Sequence, residues 1–164
     1  MIHNVSGDLL ESQAKLICHG VAPGDHFSQG LALGLRERWP SLYKDFRHYC
    51  QTHHPKPGGL WMWHGPGINV ANLLTQEDSY TPGSKPGVAH LEFVNSALRE
   101  LRKEIVAEGY ESLALPRLAT GVGRLDWDEV APLIAKHLGD LGIPIFVYTT
   151  YHKGEKAQEL SSPV

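Results

Sequence analysis

Two glycine-bearing segments carry the residue types and spacing from which chemistry could be built. Gly20 to Gly30 (GVAPGDHFSQG) lies between a short apolar run and a helical one, and Pro116 to Trp127 (PRLATGVGRLDW) has the same setting. Backbone N–H groups at such helix starts form a concave anion site, and glycine serves where a phosphate must approach the main chain. A diphosphate is the natural guest, although glycine turns also simply close tight connections. Neither segment fits GxxxxGK[ST] or a GxGxxG with its distant acid, so a P-loop or dinucleotide fingerprint lacks support. Asp25 and His26 are the only titratable side chains of the first loop. They are candidates for proton transfer or, alternatively, a turn-forming acid and an exposed histidine.

Other conspicuous residues read more simply. His48, Cys50, His53 and His54 lack a second ligand pair at metal spacing, so no metal site is expected. Trp39, Trp61, Trp63 and Trp127 read as core aromatics, and Asp126 and Asp128 as capping residues at a helix start. His19 closes an apolar run and is either a satisfied strand-end histidine or a ligand contact.

The elements that must position these loops follow from periodicity. Strands are predicted at Ile2 to Val5, Lys15 to His19, the LWMWH and INVANLL segments, Ser112 to Leu115 and Ile143 to Thr149. A turn follows the first at Ser6-Gly7-Asp8-Leu9, and Gly65-Pro66-Gly67 joins a hairpin. Helices are expected over Leu31 to Arg38, from Pro40 onward, along the stripe Val88, Leu91, Val94, Leu98, Leu101 and Ile105, and from Asp126 to Gly139. Thr75 to Gly87 is a long polar loop, and Gly154 to Val164 reads as a frayed polar tail. Strands interleaved with helices argue for an α/β sandwich with a mixed sheet.

Composition limits the partners. The chain of 164 residues has 15 basic and 18 acidic side chains, a formal charge of -3, so no broad basic field holds nucleic acid nonspecifically. Any polyanion must be gripped locally. Ten histidines make that charge sensitive to pH, and 17 glycines with 11 prolines imply demanding loops around a packed core. Two cysteines and a charged start, MIHNVSGDLLESQAK, fit a reducing cytoplasm, and the Ile143 to Tyr148 run is too short to span a bilayer. A monomer without membrane contact is expected.

GDLL after the first strand, KLICHG with its glycine loop, VANLLTQ, PRLATGVGRLDW and the last strand IFVYT together resemble the macrodomain, a module that binds ADP-ribose. The resemblance spans residues 1–151, with 152–164 as a polar C-terminal tail. It is nearest to the branch of the terminal ADP-ribose protein glycohydrolase, the chromatin-remodeller macrodomain and bacterial relatives, including antitoxins that strip ADP-ribose from DNA. It implies a three-layer α/β/α sandwich with a mixed central sheet and no cofactor beyond ADP-ribose as ligand or product.

Carried over by position, the resemblance sets Asp8 against the adenine amino group with the Leu9 amide nearby, and Tyr148 beside the base. Ser28, Gln29 and Gly30 would face the distal ribose and diphosphate. Ala119, Thr120, Gly121, Val122, Gly123, Arg124 and Leu125 would cradle the phosphates. His19 would contact the ribose or its substituent, since a related yeast phosphatase of ADP-ribose phosphate has a histidine in the matching place. The branch's attacking lysine and assisting acid are replaced by Gln76 and Gly123, and a common first-loop asparagine by Ala22. The lysine route is therefore closed. Hydrolysis would use water, with Asp25, His26 and Gln76 as the candidate catalytic residues. The implied function is removal of ADP-ribose from a protein side chain or nucleic acid; the alternatives are a non-catalytic reader and an ADP-ribose 1''-phosphate phosphatase.

Overall fold

Successive strand residues point to opposite faces of a sheet, and that alternation divides the apolar side chains here into two cores. The computed structural model describes residues 1–81, 83 and 87–159. In chain order its elements are β1 (Ile2–Gly7), β2 (Leu16–Val21), α1 (Gly30–Arg38), α2 (Pro40–His53), β3 (Leu60–Gly65), β4 (Ile68–Leu74), α3 (Leu91–Glu108), β5 (Leu113–Pro116), α4 (Trp127–Leu138) and β6 (Ile145–Tyr151). The sheet order is β1-β6-β5-β2-β4-β3. All neighbours are parallel except β3, which pairs antiparallel with β4.

Leu16 and Cys18 of β2, and Ile145 and Val147 of β6, pack with Leu98 of α3 and Ile134 of α4. The intervening Ile17, Val21, Phe146 and Tyr148 pack with Leu35 of α1 and Phe46 of α2. This is the expected three-layer α/β/α sandwich with a mixed sheet. Leu98 and Leu101 are fully buried, and truncating either to alanine would cost about 2–5 kcal/mol. Among the described residues no helix is long and apolar enough to cross a membrane.

Element boundaries move where backbone donors are claimed by other partners. α3 begins at Leu91 rather than Val88, because Ala89 N–H donates to the Gly123 carbonyl and His90 N–H to that of Thr75. The last strand starts at Ile145, since Pro144 has no N–H to donate, and it continues to Tyr151. β1 runs on through Gly7, and Asp8 caps one turn of 3-10 helix, Leu9–Glu11, by accepting from Leu10 N–H at 3.0 Å. Asp126 precedes α4, but its side chain makes no cap bond; its carbonyl accepts from Glu129 and Val130 instead.

The tail corrects the expectation of fraying. His152 N–H donates to the Gly7 carbonyl at 3.1 Å, and Asp8 N–H donates to that of Glu155 at 2.7 Å. Polar main-chain groups at the end of β1 need partners, and residues 152–159 supply them. Residues 160–164 of the tail, and Pro82 and 84–86 of the long loop, lie outside the described residues.

Candidate functional site

The carboxyl ends of the parallel strands open on a cleft of two adjoining cavities, about 360 and 470 Å³. Both are lined by Gly30, Leu31, Pro116, Tyr148 and Tyr151. Ligands of α/β sheets bind at such strand ends. A register shift in β1 against β6, between Val5 and Ser6, adds a local bend beside them.

The first cavity is walled by main chain. In the loop after β5, Ala119 and Arg124 take left-handed φ angles of 63° and 65°. The loop is pinned by Leu125 N–H to the Ala119 carbonyl (2.9 Å), Arg124 N–H to that of Gly121 (3.1 Å) and Thr120 Oγ1 to that of Arg117 (2.9 Å). The N–H groups of Thr120, Gly121, Val122 and Gly123 have no acceptor among the described residues. Such successive unpaired amides form an anion-binding concavity. Gly123 is required there, because a Cβ would lie 2.6 Å from the Ala119 carbonyl oxygen and 2.8 Å from Ala89 Cβ.

A second donor set comes from α1. Gln29, at its N-cap, makes no side-chain cap bond, and the first helical bond runs from Leu33 N–H to the Gln29 carbonyl. The amides of Gly30, Leu31 and Ala32 have no acceptor among the described residues, and all three residues line the first cavity. A helix N-terminus adds a partial positive charge. Among the described residues Arg117 is the one Lys or Arg side chain on this lining, and the free amides outnumber it.

Among the polar side chains on the same cavity, His19, Asp25 and Gln76 are buried. His19 is buried, with Nε2 at 2.6 Å from Asn72 Oδ1, while Asn72 Nδ2 donates to the carbonyls of Trp61 and Val70. Those carbonyls orient the amide, so Nε2 carries the proton and Nδ1 is the acceptor. Burial pushes the His19 pKa down to about 4, against the opposing bond to Asn72, and the ring is neutral near pH 7. Asp25 is pushed up by burial, partly offset by its bonds from Phe27 and Ala22 N–H at 2.8 and 3.5 Å. Among the described residues it is the one carboxylic acid on this lining. Gln76 is buried and donates through Nε2 to the Gly87 carbonyl at 2.8 Å, which leaves Oε1 as the acceptor.

The second cavity is mainly apolar, with Leu9, Leu10, Leu31 and Tyr148 on its wall beside Asp8. Asp8 accepts from Leu10 N–H and from Gly154 N–H at 3.0 and 2.9 Å. Each carboxylate oxygen keeps acceptor capacity for an N–H of a bound base.

The structure thus brings together on the cleft Asp8, Leu9, His19, Asp25, Gln29, Gly30, Gln76, Ala119, Thr120, Gly121, Val122, Gly123 and Tyr148. It does not bring in His26, Ser28, Arg124 or Leu125. His26 and Ser28 are exposed, and Arg36 Nη1 donates to the His26 carbonyl. Arg124 is exposed and Leu125 packs into the core. Ala22 is fully buried away from the lining. Asn72 and Tyr151 were missed; a buried asparagine amid INVANLL is a signal that could have found the first. The histidines near α2 pack instead, His53 on Tyr49 and His54 on Tyr80. Trp63 Nε1 donates to Asp45 Oδ2 at 2.8 Å.

Free amides from a helix start and a strained loop, beside an apolar chamber, define an α/β protein with a cleft for an extended anion. No protein-family model matches the chain. It is 24% identical over 162 residues to a DNA ADP-ribosyl transferase-DNA ADP-ribosyl glycohydrolase fusion protein of Thermosipho africanus, covering 91% of this chain and 42% of that one. It is 27% identical over 153 residues to a DNA ADP-ribosyl glycohydrolase of Thermus aquaticus, covering 90% and 41%. The chain therefore spans about two fifths of the length of these relatives. The solved macrodomain of Thermus aquaticus DarG superposes with a TM-score of 0.80 at 26% identity, covering 91% of this chain and 98% of that one. Thermosipho africanus DarTG in complex with ADP-ribose gives 0.79 at 22% identity, covering 94% and 42%. By fold the chain is a macrodomain.

Proposed function

We propose that this macrodomain binds ADP-ribose along the cleft and hydrolyses it from an acceptor, with ADP-ribosylated DNA as the substrate class. The observation that carries the reading is the pair of free amide sets, on α1 and at 120–123, on one cavity. A diphosphate has oxygens for both sets. The base then lies in the second cavity against Asp8 and the Tyr148 ring, and the distal ribose in the first beside His19, Asp25 and Gln76. DNA as acceptor rests on the activities named for the two relatives.

A glutamine amide is no nucleophile, so water must attack the anomeric carbon. The water oxygen bonds to that carbon, the glycosidic bond breaks with its electron pair leaving on the acceptor, and the water's proton passes to Asp25. The leaving group is protonated in turn from Asp25 or solvent. The burial that raises Asp25 makes its carboxylate more basic and so better suited to accept a proton near neutrality. Gln76 Oε1 supplies an acceptor that can orient the water.

The test is incubation of the chain with an ADP-ribosylated single-stranded oligonucleotide and mass spectrometry of the products. Unmodified oligonucleotide plus free ADP-ribose supports hydrolysis. ADP-ribose binding by calorimetry without release supports a reader, the second reading, favoured by Gln76 and Gly123 at the branch's lysine and acid positions. Neither binding nor product sinks both. Phosphatase action has weaker support, and inorganic phosphate released from ADP-ribose 1''-phosphate would reveal it. Both cysteines are free and buried, which supports a reducing cytoplasm as the proposed setting; action as a monomer is proposed alongside, tested by size-exclusion chromatography.

A further inference from the structure

The segment 152–159 is polar, yet it is ordered against the base end of the cleft, and ordering it costs conformational entropy that contacts must offset. Its far end is held at one carboxylate. Glu159 Oε2 accepts from Tyr148 Oη at 2.5 Å and from Ser12 Oγ at 2.6 Å, while Oε1 accepts from Gln13 N–H at 2.9 Å. Hydrogen bonds to an ionised acceptor are the short, strong kind. Its near end is held at the Asp8 turn, where Gly154 N–H donates to Asp8 Oδ2 at 2.9 Å and Asp8 N–H donates to the Glu155 carbonyl. Gly7 makes room between the two. Its φ is +153°, and a Cβ there would lie 2.9 Å from Ala157 N and from the Glu155 carbonyl oxygen.

Tyr148 and Asp8 both line the second cavity, and both are tied to this strap from outside it. The Tyr148 hydroxyl is spent on Glu159, so the residue offers the cavity its ring. The Asp8 carboxylate is oriented by its own turn through Leu10 N–H and by the strap through Gly154 N–H.

We infer that Glu159 is a positioning residue for the base-end cavity, locking the 152–159 strap so that the Tyr148 ring and the Asp8 carboxylate are set before a purine arrives. This inference rests on the ADP-ribose reading above. Preorganisation of this kind raises affinity by removing an ordering cost from the binding step.

Calorimetry of the full chain with ADP-ribose, and NMR titration with AMP and with ribose 5-phosphate, test it. Glu159→Ala is expected to weaken ADP-ribose and AMP by about tenfold, the scale of one or two net hydrogen bonds, and to leave ribose 5-phosphate, which has no base, unchanged. Glu159→Gln keeps one acceptor oxygen and should lose only about threefold. Tyr148→Phe keeps the ring and cuts the tie, so combined with Glu159→Ala it should add nothing beyond Glu159→Ala alone. Binding by Glu159→Ala within about twofold of the unaltered chain overturns the strap's role and leaves the functional reading standing. Equal loss for ribose 5-phosphate, or additive losses in the double variant, also overturns it, since either would mean a general structural effect. If the unaltered chain binds no ADP-ribose, the functional reading falls and the strap's role falls with it.

Discussion

The two ends of the cleft are built on different principles. At the first cavity the working groups are main-chain amides from α1 and from 120–123, each set lying within a few consecutive residues. At the second, the groups are side chains held from far away: Asp8 by Gly154, and Tyr148 by Glu159. Backbone donors recognise a diphosphate through geometry that glycine and left-handed residues impose locally. A base needs a shaped apolar wall and one oriented acceptor, and those require tertiary support. Binding of the anion at the first end should therefore fail through backbone changes, and binding of the base at the second through side-chain changes.

The largest expected effect probes the chemistry of the first end. Asp25→Asn should reduce turnover by about 10²- to 10⁴-fold, the usual worth of a general base, while ADP-ribose affinity changes little. Equal turnover by Asp25→Asn in single-turnover assays would remove that residue from the reaction. Gly123→Val forces a Cβ against the Ala119 carbonyl and Ala89, and it should cut affinity for ADP-ribose about 100-fold by displacing the free amides. Calorimetry would show whether AMP, with one phosphate fewer, loses less.

Next in size is a pH effect at His19. The folded pKa of about 4 lies below the unfolded 6.5, so the unfolded chain takes up this proton first as pH falls. Stability from this group is fully present above pH about 6.5 and declines by about 3 kcal/mol as pH drops to about 4. Asp25 has the opposite sign: its raised folded pKa favours folding at low pH and loses that contribution as pH rises through the folded value. Urea denaturation at pH 7 and at pH 4.5 should show the His19 decline, and His19→Gln should remove most of it. An unchanged decline in His19→Gln would mean other groups carry it.

The smallest effect belongs to the base end. Asp8→Ala should weaken ADP-ribose by about tenfold and lower stability by about 1–2 kcal/mol, because it removes both a helix cap and the Gly154 tie. Should affinity stay intact while stability falls, Asp8 would serve the turn alone, and the contrast between the two ends would narrow to the backbone loops.

Legibility in the sequence follows the same division. The apolar strand runs and the stripe of α3 could be read directly, because run length and a period of 3.6 are properties of short segments. The glycine loop before α4 could be read from the sequence as a candidate anion site, because residue identity between a strand and a helix is also local. His26 and Asp25 were indistinguishable in GVAPGDHFSQG, since nothing in neighbouring residues shows which side chain turns inward. Burial of Asp25 depends on its bonds to Phe27 and Ala22 N–H, and exposure of His26 on the loop's path. Val88 fits the helical stripe yet lies outside the helix, because the amides beside it pair with Thr75 and Gly123, elements remote in sequence.

By itself the sequence determined the α/β layering, the glycine loops and the absence of a lysine at position 76 or an acid at position 123. Those follow from local periodicity, backbone sterics and side-chain identity. Only the tertiary structure decided that a polar tail folds back as a strap, that His19 is held neutral by burial, and that Asp25 rather than His26 meets the cavity. Each depends on which distant groups happen to be near enough to exclude water or to complete a hydrogen bond, and chain proximity carries no record of that.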